Sequence, residues 1–287
     1  MIANVRPLPL RVPAPVHSSS RMSSHVWGVV LAGRPVGRGP AHMRRALDRA
    51  ARLVPLQRLV AVLCRQAARD CAAALADVPE MTQIVQPTYR GSAAELFLPV
   101  LVIARRDPEA VVVAFSAEEG GAHDGRLLPS VQNAVRAVSL RPDLTVLVGG
   151  RPRTGRALEG WIEPGAPVDG LEDLSVRDIR RFVYEPAYRS PSAPALLSTT
   201  AVVARARTLL AMGRRWLPEV LETLEPLEAV ADAPEAGLLA EAVYECMPYS
   251  SLSRELLERG RDVAVLPVPE ALAHSSFCAP ELVRLAS

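Results

Sequence analysis

Short valine-rich runs alternate with amphipathic segments through the first half of this chain, and no other feature constrains its fold as much. "VWGVVL" (26–31), "RLVAVL" (58–63), "TQIVQ" (82–86), "AVVVAF" (110–115) and "LTVLV" (144–148) are short, β-branched and bounded by polar or turn residues, which predicts buried strands. Between them lie "MRRALDRAARLV" (43–54), "RQAARDCAAALAD" (65–77), "SAAELFLPVLVIARRD" (92–107) and "LLPSVQNAVRAVSL" (127–140). Their apolar residues recur every three or four positions, as on amphipathic helices. Strands joined by helical crossovers run mostly parallel, with helices on both faces. With the right-handed crossover rule, the expected fold class is α/β, with a doubly wound, mixed but mostly parallel sheet.

The second half reads differently. "GWIEPG" (160–165), "RRFVYEP" (180–186) and "ALLSTTAVVAR" (195–205) predict strands of a mixed extension. Helices are expected over about 206–231, 235–246 and 250–259, then a strand, "DVAVLPV" (262–268), and a short helix from Pro280. The first 24 residues are rich in Pro, Ser and Arg without either period, and predict a disordered tail ahead of one domain over 25–287. Met22 offers a second start within that tail.

Composition narrows the function classes. Of 287 residues, 33 are Lys or Arg and 31 Asp or Glu, a net charge of +2. That balance argues against nucleic acid or an anionic membrane as partner. No apolar run is long enough to span a bilayer. The four cysteines form no C-x-x-C pair, so neither a zinc site nor a disulfide framework is expected, and a reducing cytoplasm is. All 33 basic residues are arginine. Chemistry that needs a lysine ammonium is therefore excluded, because arginine's planar fork is not its equivalent.

In an open α/β sheet, ligands bind beyond the carboxyl ends of the strands. The loops there carry a set of motifs. "VVLAGRPVGRG" (29–39) runs from a strand into a glycine-rich loop, and "QPTYRGSAAELFLP" (86–99) follows the third strand. "RRDPEAVVVAFS", "GWIEPG", "FVYEP", "VVARARTLL" and "SRELLERGRDVAVLPV" come after them in order. Together these resemble the sugar-1-phosphate nucleotidyltransferases, and among them the mannose-1-phosphate guanylyltransferases, over roughly 26–286. The resemblance implies a nucleotide-diphospho-sugar transferase (Rossmann-like) fold. It also implies transfer of a nucleoside monophosphate to a sugar 1-phosphate, by positioning and charge neutralisation.

The same resemblance shows which chemical groups are altered. The family's L-A-G-G-x-G-x-R falls on Leu31, Ala32, Gly33, Arg34, Pro35, Val36, Gly37 and Arg38. Gly33 and Arg38 match, with Arg38 the one remnant of the catalytic set. Arg34 and Val36 replace glycines whose backbone would approach phosphate, and Pro35 removes a donor. The family's nearby lysine segment is missing. Its two magnesium-binding aspartates fall on Ala117 and Ser276, so no metal ligand is expected; the family uses Mg²⁺, a hard cation that wants oxygen donors. Its sugar-phosphate V-E-K-P becomes Val183, Tyr184, Glu185 and Pro186, and its sugar-contacting Trp-Asn pair becomes Leu197 and Ser198.

Other positions match. Leu31, Ala32, Gly33, Gln86, Gly91 and Ser92 fall on nucleotide-binding positions, with Tyr89 at the family's asparagine. Gly160, Trp161 and Glu163 fall on the sugar-contacting strand. Gly91 as a helix start and Trp161 as core filler are the structural alternatives. The expectation is a catalytically degenerate member that binds a nucleotide or nucleotide sugar in a binding or regulatory role. Two alternatives are an active enzyme with displaced ligands (Glu118, Glu119 or Asp124) and an interaction scaffold, as a homo-oligomer or paired with an active paralogue. His123 and Asp124 read as a solvated loop. Cys64 and Cys71 read as buried residues on one helix face, and Ser250, Ser251 and Ser253 as a helix cap without a strict capping box.

Overall fold

The computed structural model describes residues 24–33, 39–117, 124–150, 160–184, 195–229, 236–260 and 262–268. The proposed tail, the glycine-loop residues Arg34 to Arg38, Glu118, Glu119, His123, Glu185, Ser276 and the helix from Pro280 lie outside these.

The predicted alternation is present. β1 (Val26–Ala32), α1 (Gly39–Ala51), β2 (Leu59–Cys64), α2 (Arg65–Asp70), α3 (Ala72–Ala76), β3 (Thr82–Gln86), α4 (Ser92–Arg106), β4 (Val111–Ser116), α5 (Asp124–Leu140) and β5 (Thr145–Gly150) follow in sequence. The strands β3-β2-β1-β4 lie side by side and parallel. The strands β1, β2 and β4 are apolar on both faces, while the edge strand β3 leaves Gln83 and Val85 exposed. Val29, Val60, Val62, Val112 and Ala114 join one core with α4 and the later helices, while Val30, Ala61, Leu63, Val113 and Phe115 join the other with α1 and α5. Helices therefore cover both faces of this half.

The second half corrects the expectation of a mostly parallel, doubly wound sheet. β6 (Trp161–Pro167), β7 (Arg177–Val183), β8 (Leu196–Arg205) and β9 (Val263–Pro267) complete a nine-stranded sheet in the order β3-β2-β1-β4-β8-β5-β9-β7-β6. β8 runs antiparallel to both β4 and β5. β6 then pairs back onto the first residues of β8, Trp161 opposite Leu197 and Ile162 opposite Leu196. The strands β8-β5-β9-β7-β6 thus form a closed mixed ring. A long strand makes this possible: the end of β8 (202–205) lies between β4 and β5, and its start (196–198) between β5 and β6. Between the two stretches β5 is irregular around Val148, whose carbonyl accepts the Thr199 hydroxyl at 2.7 Å.

Helix boundaries depart from the sequence reading for local reasons. The single helix expected from 206 divides into α6 (Ala206–Trp216) and α7 (Pro218–Ala229): Leu217 leaves the helical backbone, with φ −137° and ψ 48°, as the residue before a proline is inclined to do, and Pro218 suits the first turn of the next helix. The helix expected over 65–77 breaks at Cys71. Cys64 is the last residue of β2 rather than a helix residue, and its Sγ accepts the Ala67 N–H at 3.4 Å; both cysteines are buried as expected. Asp124 opens α5 instead of lying in a loop. α8 (Ala236–Cys246) agrees closely with its prediction, and a short wide-turn helix over Ser253–Leu257 replaces the longer one expected there.

Candidate functional site

The switch in strand order lies between β1 and β4, since the chain runs outward from β1 through β2 to β3 and returns on the other side. A cleft of about 310 Å³ opens at the carboxyl ends of these two strands, where a doubly wound half-sheet binds ligands. A larger, shallower groove of about 510 Å³ is lined by Asp143, Arg207, Trp216 and Asp262. It lies at the other end of the sheet, where Asp143 and Asp262 just precede β5 and β9. The cleft at the switch is therefore the candidate site despite its smaller volume.

Leu31, Ala32 and Gly33 line the cleft from β1, and Ala114 and Ser116 from β4. Ser92, Glu95 and Leu96 reach it from the first turns of α4, and Ser251, Leu252, Ser253, Arg254 and Leu257 from the segment after α8. Tyr89, Tyr184, Tyr249 and Ser198 complete the rim.

Two backbone segments are fastened together to make that rim. The Ser250 N–H bonds to the Arg90 carbonyl at 3.1 Å, and the Ala93 N–H to the Ser250 carbonyl at 3.2 Å. The Ser92 hydroxyl accepts the Leu252 N–H at 3.0 Å. Gly91 precedes α4 with φ +96°, and a β-carbon there would stand 2.1 Å from the Ser250 carbonyl oxygen. This close approach, together with positive φ, requires glycine. The helix beyond is capped reciprocally: Ser251 Oγ accepts the Arg254 N–H at 3.4 Å, and Glu255 Oε1 accepts the Ser251 N–H at 3.0 Å. The capping pair is four residues apart rather than three, which is why a strict capping box is missing from the sequence.

Glu95 dominates the chemistry of the cleft. It is 5% exposed, and its Oε1 accepts the Gly33 N–H at 2.5 Å. A carboxylate thus contacts the backbone of the very turn that the sequence assigns to a nucleotide. Behind it, Gln86 is 1% exposed and Tyr244 likewise buried. The Gln86 amide lies beside the Tyr244 hydroxyl, but neither group meets hydrogen-bond geometry with any partner. Burial pushes the Tyr244 phenol well above its ordinary pKa, the Glu95 charge adds to this, and the Gln86 amide partly offsets it. Tyr244 is therefore neutral at physiological pH.

The rim is aromatic. Tyr89 and Tyr249 meet edge to face with centroids 6.0 Å apart, and the Arg254 guanidinium lies 5.3 Å from the centre of the Tyr184 ring. Arg254 is the single cationic side chain among the described residues lining the cleft.

Of the nucleotide-side residues singled out in the sequence, Leu31, Ala32, Gly33 and Ser92 come together in the cleft. Gln86 is buried behind it and Gly91 supports its rim. The sugar-side residues stand apart. Trp161 is 2% exposed, packed with Ala195 and Leu197, and its Nε1 has no partner. Glu163 pairs with Arg180 at 3.0 Å. Gly160 has φ +114° and faces the Phe182 ring, 2.8 Å from where its β-carbon would be. Arg38 lies outside the described residues.

The magnesium position on β4 does not fit a metal. Ala117 offers only a methyl group, is buried, and commits its N–H to the Leu31 carbonyl at 2.7 Å. Among the described residues, no group of three or more His, Cys, Asp or Glu side chains converges to hold one. Nor is any described helix long and apolar enough to cross a membrane.

Sequence reasoning missed Glu95, Tyr249 and Arg254 as site residues. For Glu95 a signal was present. Every other residue from Ala93 to Ile103 is an apolar residue of the buried helix, and a lone carboxylate in such a run needs a buried partner.

No family model and no curated protein matches this sequence. Solved structures do match its fold. A structure described as mannose-1-phosphate geranyltransferase from Thermus thermophilus superposes with a TM-score of 0.69 at 20% identity, covering 85% of this chain and 74% of that one. One described as mannose-6-phosphate isomerase from Helicobacter pylori gives 0.69 at 14% identity, covering 88% and 99%. A CMP:2-keto-3-deoxy-manno-octonic acid synthetase complexed with CTP gives 0.51 at 11% identity, covering 85% and 90%. The chain therefore has a nucleotidyltransferase-like α/β fold, as the order of its motifs implied.

Proposed function

We propose that this protein is a catalytically degenerate relative of the sugar-phosphate nucleotidyltransferases, most like the mannose-1-phosphate guanylyltransferases. In this reading it binds a nucleotide, a nucleotide sugar or one of their parts at the β1–β4 switch without turning it over. The observation that carries the reading is Ala117. At the strand end where the family's first magnesium aspartate falls, the chain has a buried methyl group whose N–H is already bonded. Phosphoryl transfer depends on neutralising charge, and removing such a group typically costs orders of magnitude in rate. The absence of lysine from the chain and the Glu95 carboxylate in the cleft act in the same direction. What supports retained binding is the cleft itself, with its hydroxyl and aromatic lining.

The reading is tested by thermal unfolding in the presence of GTP, GDP-mannose and related nucleotide sugars. Saturable stabilisation by one of them is expected, because a ligand that binds only the folded state raises its stability by mass action. A flat response to all of them would remove the binding role and favour an interaction scaffold.

A further inference from the structure

The nine-stranded sheet has one open edge among the described strands. At one end of the strand order, β6 pairs with both β7 and β8 and so closes the ring. At the other end, β3 pairs with β2 alone. The outer side of such a strand presents a row of backbone N–H and C=O groups, a template for another strand. Edges are ordinarily blunted by a charge, a proline or a bulge. β3, Thr82-Gln83-Ile84-Val85-Gln86, contains no charged residue and no proline. Its parallel register with β2 runs unbroken from Thr82 to Gln86. On one face Gln83 is exposed and Val85 is 45% exposed. On the other face Ile84 is half-buried against the core that contains α4, and Arg106 of α4 donates to the Thr82 hydroxyl at 3.2 Å.

We propose that β3 is a self-association edge, at which two copies of this chain pair their β3 strands antiparallel across a two-fold axis at Ile84. The order of the residues selects a second copy as the partner, because a two-fold interface requires one patch to complement itself. With Ile84 opposite Ile84, Gln83 of each copy lies opposite Val85 of the other, and Thr82 opposite Gln86. No like charges oppose one another within the strand pair. Beyond it, the end of one copy that carries Glu80 runs toward the end of the other that carries Arg90, of opposite sign. Pairing consumes the open edge of each sheet, so assembly stops at the dimer. A strand of 5 residues gives a contact below the standard interface size, so the dimer is weak and concentration-dependent. The pairing does not depend on what the β1–β4 cleft binds.

The test is sedimentation velocity of the full chain over a concentration series, for the wild type and two double variants. Gln83→Lys with Val85→Lys sets lysine against lysine on both sides of the axis. Gln83→Lys with Val85→Glu sets opposite charges there instead. Both positions are exposed, and circular dichroism checks that the fold is kept. The wild type should show a reversible monomer–dimer equilibrium. The lysine–lysine variant should weaken it by about tenfold or more, while the lysine–glutamate variant stays within about threefold of the wild type. Hydrogen exchange of the wild type gives a second reading that needs no variant: exchange at the β3 amides should slow as the dimer forms. A wild type that stays monomeric, or that grows past the dimer as concentration rises, would overturn the inference. So would a dimer weakened equally by both variants or by neither, or one that leaves β3 exchange unchanged.

Discussion

The two sides of the expected ligand site have met different fates. On the nucleotide side, Leu31, Ala32, Gly33 and Ser92 still line an open cleft. On the sugar side, Gly160 and Trp161 have become packing for the closed ring, and Glu163 is engaged in an ion pair. The difference lies in what holds each region. The cleft walls are strand ends and two loops fastened by backbone bonds, so their side chains can change without loss of the walls. The β6 strand instead completes a ring against β8, so its side chains face neighbours that must be packed. Packing alone therefore accounts for Gly160 and Trp161.

The largest effect is expected at Gly91, the glycine on which the cleft rim depends. Gly91→Ala should destabilise the protein by about 4 kcal/mol, since neither its φ nor the Ser250 carbonyl leaves space for a methyl group. Chemical denaturation measures this, and a small loss would mean that the rim is not held by that close approach. Trp161→Ala follows, at about 3 kcal/mol for an emptied core position. Its ligand-induced thermal shift should be unchanged. A lost shift with little loss of stability would return Trp161 to the ligand and erase the contrast between the two sides.

A third prediction concerns the scaffold away from either side. Partial burial alone would raise the pKa of Asp107, but bonds from Trp27 Nε1 at 2.9 Å and His25 Nδ1 at 2.8 Å outweigh this and hold it below the ordinary aspartate value. A carboxyl with a depressed folded pKa adds stability above its unfolded pKa, near about 3.9. That contribution disappears as pH falls through the lower folded value. Asp107→Ala should cost about 1–2 kcal/mol at neutral pH, and the difference from wild type should shrink in acid below pH of about 4. A pH-independent difference would mean that the carboxylate's charge is not what counts. The smallest effect is expected at Glu163. Glu163→Gln removes a pair whose Arg180 side is mostly exposed, worth about 0.5 kcal/mol or less, and should leave the ligand response intact.

These residues also mark how much was legible before any coordinates. The strands and helices of the first half were readable to within a few residues because each is both periodic and locally bounded. The ring was not readable. Whether β6 pairs with β7 alone or also with β8 depends on a contact between Trp161 and Leu197, far apart in sequence, and periodicity carries no such information. Trp161 shows the same limit at the level of function. A tryptophan on a strand serves core or ligand equally well until its neighbours are known. Glu95 is the opposite case: its chemical oddity stood in the sequence, inside an apolar helix, but its bond to the Gly33 N–H is a product of the fold.

In the proposed reading the cleft binds a ligand without turning it over. Release of pyrophosphate from GTP and mannose 1-phosphate in the presence of magnesium tests it most directly. No release above a protein-free blank is expected; sustained turnover, abolished by Glu118→Gln, would instead establish an active enzyme with displaced metal ligands.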